Sequence, residues 1–471
     1  MSQIAGISSE DGDVADKLVA MLEAFHPQVT AKISPSREEC QWSVSSIVED
    51  VSSNRALAEV SLPIEGRILE RPHLDYEGKL VLIYDGELYN SQEVAAKLDQ
   101  TQCLADKVNA DLLAYLVEEL HGSLEDKVKK ALRVLDGDYA LAVSNVDQTV
   151  VVRDSLGTKP LYFAEGDGLL AFASNKKALW QIGLGNVMPL RAGTLAIFDQ
   201  EGVKIKEALP LRKGDVEIED MAQAVDCYQE AIRLAVEKRL SDVDKVGVLL
   251  SGGVDSCLIA KLVYDIASTA GIRVTAYTAG LPDSSDIKFT QDFIQETGLN
   301  CRIKVLSVSE VEEYIPKVIE AVEERDFVQI EAGIGIYAAI DIANQDGIKV
   351  FFSGQGPDEL WGGYTWYPEV LSQEGHQGLS QRMWDDLTRG DIETLDRENK
   401  IARAHGAEMM FPYLDPEVVE LALSVAPELK VLSGNDHLGK HPHRQLAQRM
   451  GIPTKYANRS KDAAQHGTGI H

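Results

Sequence analysis

The chain is poor in cysteine, in basic residues and in long apolar runs. Its five cysteines, Cys40, Cys103, Cys227, Cys257 and Cys301, are scattered and form no CxxC or Cys/His spacing. Neither a disulfide framework nor a zinc site is suggested, and a reducing compartment fits. Lys and Arg total 46 against 75 Asp and Glu, for a net charge of −29, and no basic run stands out. A phosphate-tracking surface for DNA or RNA is therefore not expected. No stretch is apolar for the length of a membrane span, and the start lacks a charged segment followed by a hydrophobic one. The expectation is a cytoplasmic protein with neither nucleic acid nor membrane as partner.

What is present is a folded chain of 471 residues, 44% hydrophobic and 26% charged, long enough for two or three cores. Its two halves differ. The first, 1–207, reads as short strands broken by Gly and Asp turns: KLVLIYDGELYN, DYALAVSNVDQTVVVRD, LYFAEGDGLLAFAS and AGTLAIFDQEGVKI. Only QEVAAKL and ADLLAYLVEELHG are spaced as helices there. This is an α+β pattern with antiparallel sheets. After the charged, Pro- and Gly-containing KEALPLRKGDVEIED, the second half, 216–471, opens on a helix at Met221 and then alternates strands with helices. Such alternation implies an α/β, doubly wound parallel sheet, which binds ligands beyond the carboxyl ends of its strands.

Two strand ends carry chemistry. In VGVLLSGGVDSCLIA, an apolar strand stops at Ser251-Gly252-Gly253-Val254-Asp255-Ser256 and a helix follows at once. Glycines admit close backbone approach, hydroxyls donate, and a helix start offers free N–H groups to phosphate. Asp255 suits that site once a divalent cation is added, since magnesium is held by one or two carboxylates and substrate phosphates; alternatively it caps the helix. The second strand end, FFSGQGPDELWGGY, repeats the pattern with Ser353, Gly354, Gly356, Asp358 and Glu359.

These segments carry a family resemblance. SGGVDS resembles the pyrophosphate loop of the ATP pyrophosphatases (PP-loop), and SGQGPDELWGGY is similar to the second loop of asparagine synthetases, usually close to S-G-E-G-S-D-E-x-x-G-G-Y. RDSLGTKPLYF, FASNKKAL, DGELYN and AEMMFPYLD are similar to family segments in the same order. The resemblance implies an Ntn-hydrolase-like class II glutamine amidotransferase domain followed by a synthetase domain using ATP and Mg2+. It puts Asp255 and Asp358 on magnesium. ATP would be lined by Leu249, Ser251, Gly280 and Leu281, with Gly252, Gly253, Ser256, Ser353, Gly354 and Gly356 from the two loops. Glu323 matches a catalytic-site glutamate and Lys461 a charge-stabilising lysine. Gln355 and Pro357 stand where the family has Glu and Ser, and Met410 where it has Arg, so the resemblance leaves the carboxylate substrate unassigned.

In the first half the family's nucleophilic cysteine corresponds to Ser2. Its glutamine-binding arginine corresponds to Val60, its oxyanion-hole Asn to Asp85 beside Gly86 and Glu87, and the aspartate that holds the substrate amine to Asn109. An anion where negative charge must develop works against catalysis. The expected function is an ATP-dependent, amide-forming ligase with a silent glutaminase site. It would join a small carboxylate to ammonia or another amine, with a homodimer among the assemblies allowed. Three alternatives stand beside it: a Ser2-dependent glutaminase, a non-catalytic nucleotide-binding scaffold, and an adenylating enzyme of nucleic-acid modification.

Overall fold

The structure, a computed structural model, describes residues 2–9, 14–25, 43–50, 54–61, 72–74, 80–98, 109–460 and 462–471. The chain divides into two compact units, Met1–Leu211 and Arg212–His471.

Among the described residues of the first unit, twelve strands form two six-stranded sheets. One is centred on Ser2–Ser9, antiparallel to both Arg55–Ser61 and Leu169–Ala173. The other runs through Val81–Leu88, Gly137–Ser144, Thr149–Arg153 and Thr194–Asp199, again antiparallel. Their facing sides share one core, in which Ile4, Leu57 and Phe172 of the first sheet meet Ile83, Ala142 and Phe198 of the second. The outer face of the first sheet packs on helices Val14–Glu23 and Lys176–Gln181, and that of the second on Asn109–Glu119 and Leu124–Leu132. The result is four layers, helix, sheet, sheet, helix. Helix Leu124–Leu132, LEDKVKKAL, is short and mostly charged, yet its buried Leu124, Val128, Ala131 and Leu132 fall on one face. It is begun by a capping box, with Ser123 and Asp126 satisfying each other's backbone N–H groups.

Arg153 anchors this unit from inside. It is fully buried and donates to the carbonyls of Lys159 (2.6 Å), Gly157 (2.6 Å) and Leu190 (2.9 Å). Arg153→Met leaves those buried acceptors without this donor, and a loss of about 2–3 kcal/mol is expected, measured by thermal or urea unfolding. An unchanged midpoint would contradict the anchoring role.

The second unit is built on a five-stranded sheet. Lys245–Leu249 lies at its centre, with Arg273–Gly280 and then Cys301–Val305 on one side and Val350–Phe352 and then Glu408–Met410 on the other, all parallel. The chain reverses direction of progress across the sheet between Cys301–Val305 and Val350–Phe352, so the crevice of such a fold opens beside the central strand. The strands are short and apolar, and Gly247 lets Phe351 lie close, since a Cβ there would meet the ring at 2.6 Å. Among the described residues, no helix is long and apolar enough to cross a membrane.

Lys430 supplies a pH-dependent element of this unit's stability. It is buried, donates to Ala422 O at 2.6 Å and lies over the Trp361 ring at 5.6 Å. Burial pushes its amine down from 10.5 to about 7. Between those values the unfolded chain binds the proton and the folded one does not, so stability rises with pH from about 7 toward about 10 and is flat below that window. Lys430→Met is expected to remove this rise, compared by denaturant melts at about pH 7 and about pH 9. A variant with the parental slope would show that Lys430 is not its source.

Candidate active site

The site begins with a turn only glycine makes. After Lys245–Leu249 the chain passes through Ser251-Gly252-Gly253 straight into helix Val254–Ala270. Gly252 has φ +71°, and a Cβ there would meet Phe289 Cβ at 2.6 Å. Ser256 Oγ holds the turn, accepting from Ser251 N and donating to Gly253 O, both at 3.1 Å. Ser251, Gly253, Asp255 and Ser256 line a cavity with Leu249 beside them. Ser353, Gly354, Gln355 and Asp358, from the end of Val350–Phe352, line the same cavity. A Cβ on Gly354 would lie 3.1 Å from Ser256 N, so the two loops meet backbone to backbone.

The two aspartates converge on one cation. Lys440 Nζ lies 2.6 Å from Asp255 Oδ2 and 2.8 Å from Asp358 Oδ1, and its side chain is 1% exposed. Lys440 takes a left-handed backbone, φ +55°, uncommon for a residue with a Cβ. His443 Nε2 lies 3.1 Å from Asp255 Oδ1, and its Nδ1 shares a 2.9 Å hydrogen bond with Tyr228 OH. Burial pushes the His443 imidazole below its ordinary value despite that carboxylate. Arg444 also lines the cavity, its guanidinium anchored on the carbonyls of Gly439, Ala457, Arg459 and Leu438. Arg459 joins it, donating to Ser251 O at 2.8 Å and Asp286 Oδ1 at 2.9 Å. Three cationic side chains thus line one cavity of an acidic chain.

These donors fit a phosphate-bound magnesium ion. Two carboxylates reach a single point beside a phosphate-type loop, which is how magnesium is commonly held. A magnesium ion would compete with Lys440 for Asp255 and Asp358.

Not every expected residue lines the cavity. Gly252 and Gly356, with φ +71° and +112°, shape the two turns from behind. Gly280 and Leu281 sit just past it, where Leu281 N donates to Thr468 O at 2.9 Å; Thr278 and Ala279 line the wall instead. Glu323 is not part of the lining. It closes helix Val308–Val322 in a left-handed conformation and its buried carboxylate lies 3.3 Å from Lys400 Nζ. Lys461 lies outside the described residues, between Ser460 and Asp462, which both line the cavity.

In the first unit, Ser2 is the first residue of its strand, paired with Ser61, and is 3% exposed. Ser2 Oγ and Ser61 Oγ share a 2.8 Å hydrogen bond, and Ser61 Oγ donates to Glu59 Oε1 at 2.9 Å. Val60 is core, opposite Gln3. Asp85 is buried and accepts from Ser174 Oγ at 3.1 Å. Gly86 holds φ +150° against Asp138 O, which a Cβ would meet at 2.0 Å, and Asn109 begins helix Asn109–Glu119.

Lys440, His443, Arg444, Arg459 and Glu398 are site residues that sequence reasoning missed. A signal was available for four of them: GKHPHR and ANRSKD are the basic clusters of a strongly acidic chain's C-terminal part.

The asparagine synthase family model matches residues 228–379 and 370–471, and a glutamine amidotransferase domain model matches 65–181. A putative glutamine-hydrolysing asparagine synthetase of Methanocaldococcus jannaschii is 32% identical over 406 residues, covering 82% of this chain and 72% of that protein. The chain belongs to the asparagine synthase family. Further members include a probable glutamine-hydrolysing asparagine synthetase of Dictyostelium discoideum, 27% identical over 86% of this chain and 74% of its own. Glutamine-hydrolysing asparagine synthetase B of Escherichia coli is 26% identical over 89% and 76%. In this chain the two loops follow the neighbouring strands Lys245–Leu249 and Val350–Phe352 and line one cavity.

Proposed function

We propose that the second unit is an ATP-dependent ligase that adenylates a small carboxylate, releases pyrophosphate and passes the acyl group to ammonia or another amine. The observation that carries this reading is the convergence of Asp255, Asp358 and Lys440 beside the Ser251–Ser256 loop. Attack of a carboxylate oxygen on the α-phosphorus forms an O–P bond and breaks the bond to the bridging oxygen, on which charge accumulates. Lys440, Arg444 and Arg459 face that charge from fixed positions, so little reorganisation is needed as it develops. Magnesium, when bound by Asp255 and Asp358, would add Lewis-acid stabilisation of the departing pyrophosphate.

The first unit serves this reaction without supplying ammonia. Ser2 is buried and hydrogen-bonded within a Ser2–Ser61–Glu59 chain, and Val60 puts an apolar side chain where the family pattern has a cation. The relatives' names include glutamine hydrolysis, which makes glutamine the decisive comparison. The test is ATP–pyrophosphate exchange and pyrophosphate release with magnesium, across aspartate and other amino acids and carboxylates, with ammonium or glutamine as nitrogen source. Exchange with at least one acid is expected, together with product formation on ammonium and none above background on glutamine. Ser2→Ala should leave all rates within about twofold of the parent, since Ser2 would have no nucleophilic role. Glutamine turnover abolished by that change would establish a working hydroxyl nucleophile instead, and absence of exchange with every acid would refute the ligase reading.

A further inference from the structure

Besides Asp255, Asp286, Asp358 and Asp462, one further carboxylate lines the cavity, away from the lysine and arginine that hold the aspartates. Helix Leu395–Ala404 presents Glu398 there, 2% exposed. Gln355, from the loop after Val350–Phe352, donates its side-chain N–H to Glu398 Oε1 at 2.6 Å. Gln355 N in turn donates to Ser353 Oγ at 3.3 Å, and that hydroxyl lies beside the same carboxyl. Glu398 Oε2 makes no hydrogen bond among the described residues. A polar atom so placed in a buried wall costs free energy unless a bound group completes it.

The identity of that group follows from charge. A triphosphate or a substrate carboxylate would be repelled by Glu398 and attracted to Lys440, Arg444 and Arg459. A nitrogen that must lose a proton needs a carboxylate oxygen within reach. Glu323 does not line the cavity and is paired with Lys400.

We propose that Glu398 is the catalytic residue that receives the attacking amine, with Gln355 as its positioning residue. The proposal rests on the ligase reading above and deepens it by assigning the nitrogen subsite. The amine lone pair forms the N–C bond at the acyl carbonyl carbon, and one N–H proton passes to Glu398 Oε2. The C–O bond to the adenylate phosphate then breaks, and AMP leaves with the electron pair. Burial holds the Glu398 carboxyl above its ordinary value, which suits a group that must take up a proton. The ligand class is ammonia or a small primary amine, presented as the neutral base.

The test separates acyl activation from acyl transfer. Parent, Glu398→Gln and Gln355→Ala enzymes are compared with the carboxylate that supports exchange in the parent. Each is assayed for ATP–pyrophosphate exchange, amide formation on ammonium, and hydroxamate formation on hydroxylamine, a strong nucleophile that is unprotonated at neutral pH. For Glu398→Gln, amide formation should fall by about 100-fold or more, while exchange stays within about threefold and hydroxamate formation within about tenfold. Gln355→Ala should show the same split with a loss of about tenfold, and it carries the test if Glu398→Gln does not fold. Equal losses in exchange and amide formation, or no loss on ammonium, would overturn the proposal while leaving the ligase reading intact. A parent without exchange would overturn the ligase reading itself, and this assignment with it.

Discussion

Replacing Lys440 with methionine is expected to cut magnesium- and ATP-dependent pyrophosphate release by about 10³-fold. The size follows from what the ammonium touches. Its Nζ lies within 2.8 Å of both Asp255 and Asp358 in a side chain 1% exposed, so it is a fixed charge in a water-poor site. Removing it also leaves two carboxylates facing each other. A buried pair stripped of one partner typically costs about 3–5 kcal/mol. The loss of stability should therefore accompany the loss of activity, and it should depend on magnesium, which can replace the missing charge. Thermal melts of parent and variant, each with and without magnesium but without nucleotide, provide the check. The variant should be the less stable protein without magnesium and should gain more on its addition. Equal magnesium responses would mean that Lys440 and the ion do not compete for the aspartates.

Gly363→Ala should reach the same site without changing a charge. A Cβ at this position would meet Lys440 Cε at 1.9 Å and Asp358 Oδ1 at 2.2 Å. Neither neighbour can step aside freely, because each holds the other through the ion pair. The added methyl must therefore drive Lys440 off Asp358 or displace the helix start at Pro357–Trp361. A drop of about 100-fold in pyrophosphate release is expected, the scale of removing one charge-stabilising donor. Since the effect runs through Lys440, the Gly363→Ala/Lys440→Met double variant should be no worse than Lys440→Met alone. Losses that multiply would show two independent sites of damage.

The sequence made local chemistry readable and left assembly obscure. SGGVDS could be read as a phosphate turn because strand, glycines and helix start are contiguous, and the structure brings Ser251, Asp255 and Ser256 into one cavity wall with Ser353 and Asp358. The antiparallel first unit and the parallel second were equally plain, since alternation and apolar runs are short-range patterns. Lys440 and Arg459 were harder, because the basic clusters GKHPHR and ANRSKD mark cations without saying that these two are buried beside distant acids. Their partners Asp255 and Ser251 lie 185 and 208 residues earlier in the chain. For Glu323 a motif match identified the residue, while its surroundings were not readable: it ends its helix in a left-handed conformation with its carboxylate 3.3 Å from Lys400 Nζ. Helix Leu395–Ala404 was missed for a related reason. Its charged residues Asp396, Arg397, Glu398, Lys400 and Arg403 are all buried, so the usual equation of charge with solvent hides it.

Lys440 and Asp255 lie 185 residues apart in sequence, and this separation has a consequence for how the protein matures. A chain emerging from the ribosome has the Ser251–Ser256 turn and both aspartates long before it has the lysine that neutralises them. Until residues near 440 arrive, the acidic pair lacks the ammonium that bridges it. Magnesium can therefore be expected to act on the nascent unit as a temporary brace, later contested by the protein's own ammonium. Residues around 440 thus complete a cavity whose first wall is laid down with residues 249–256.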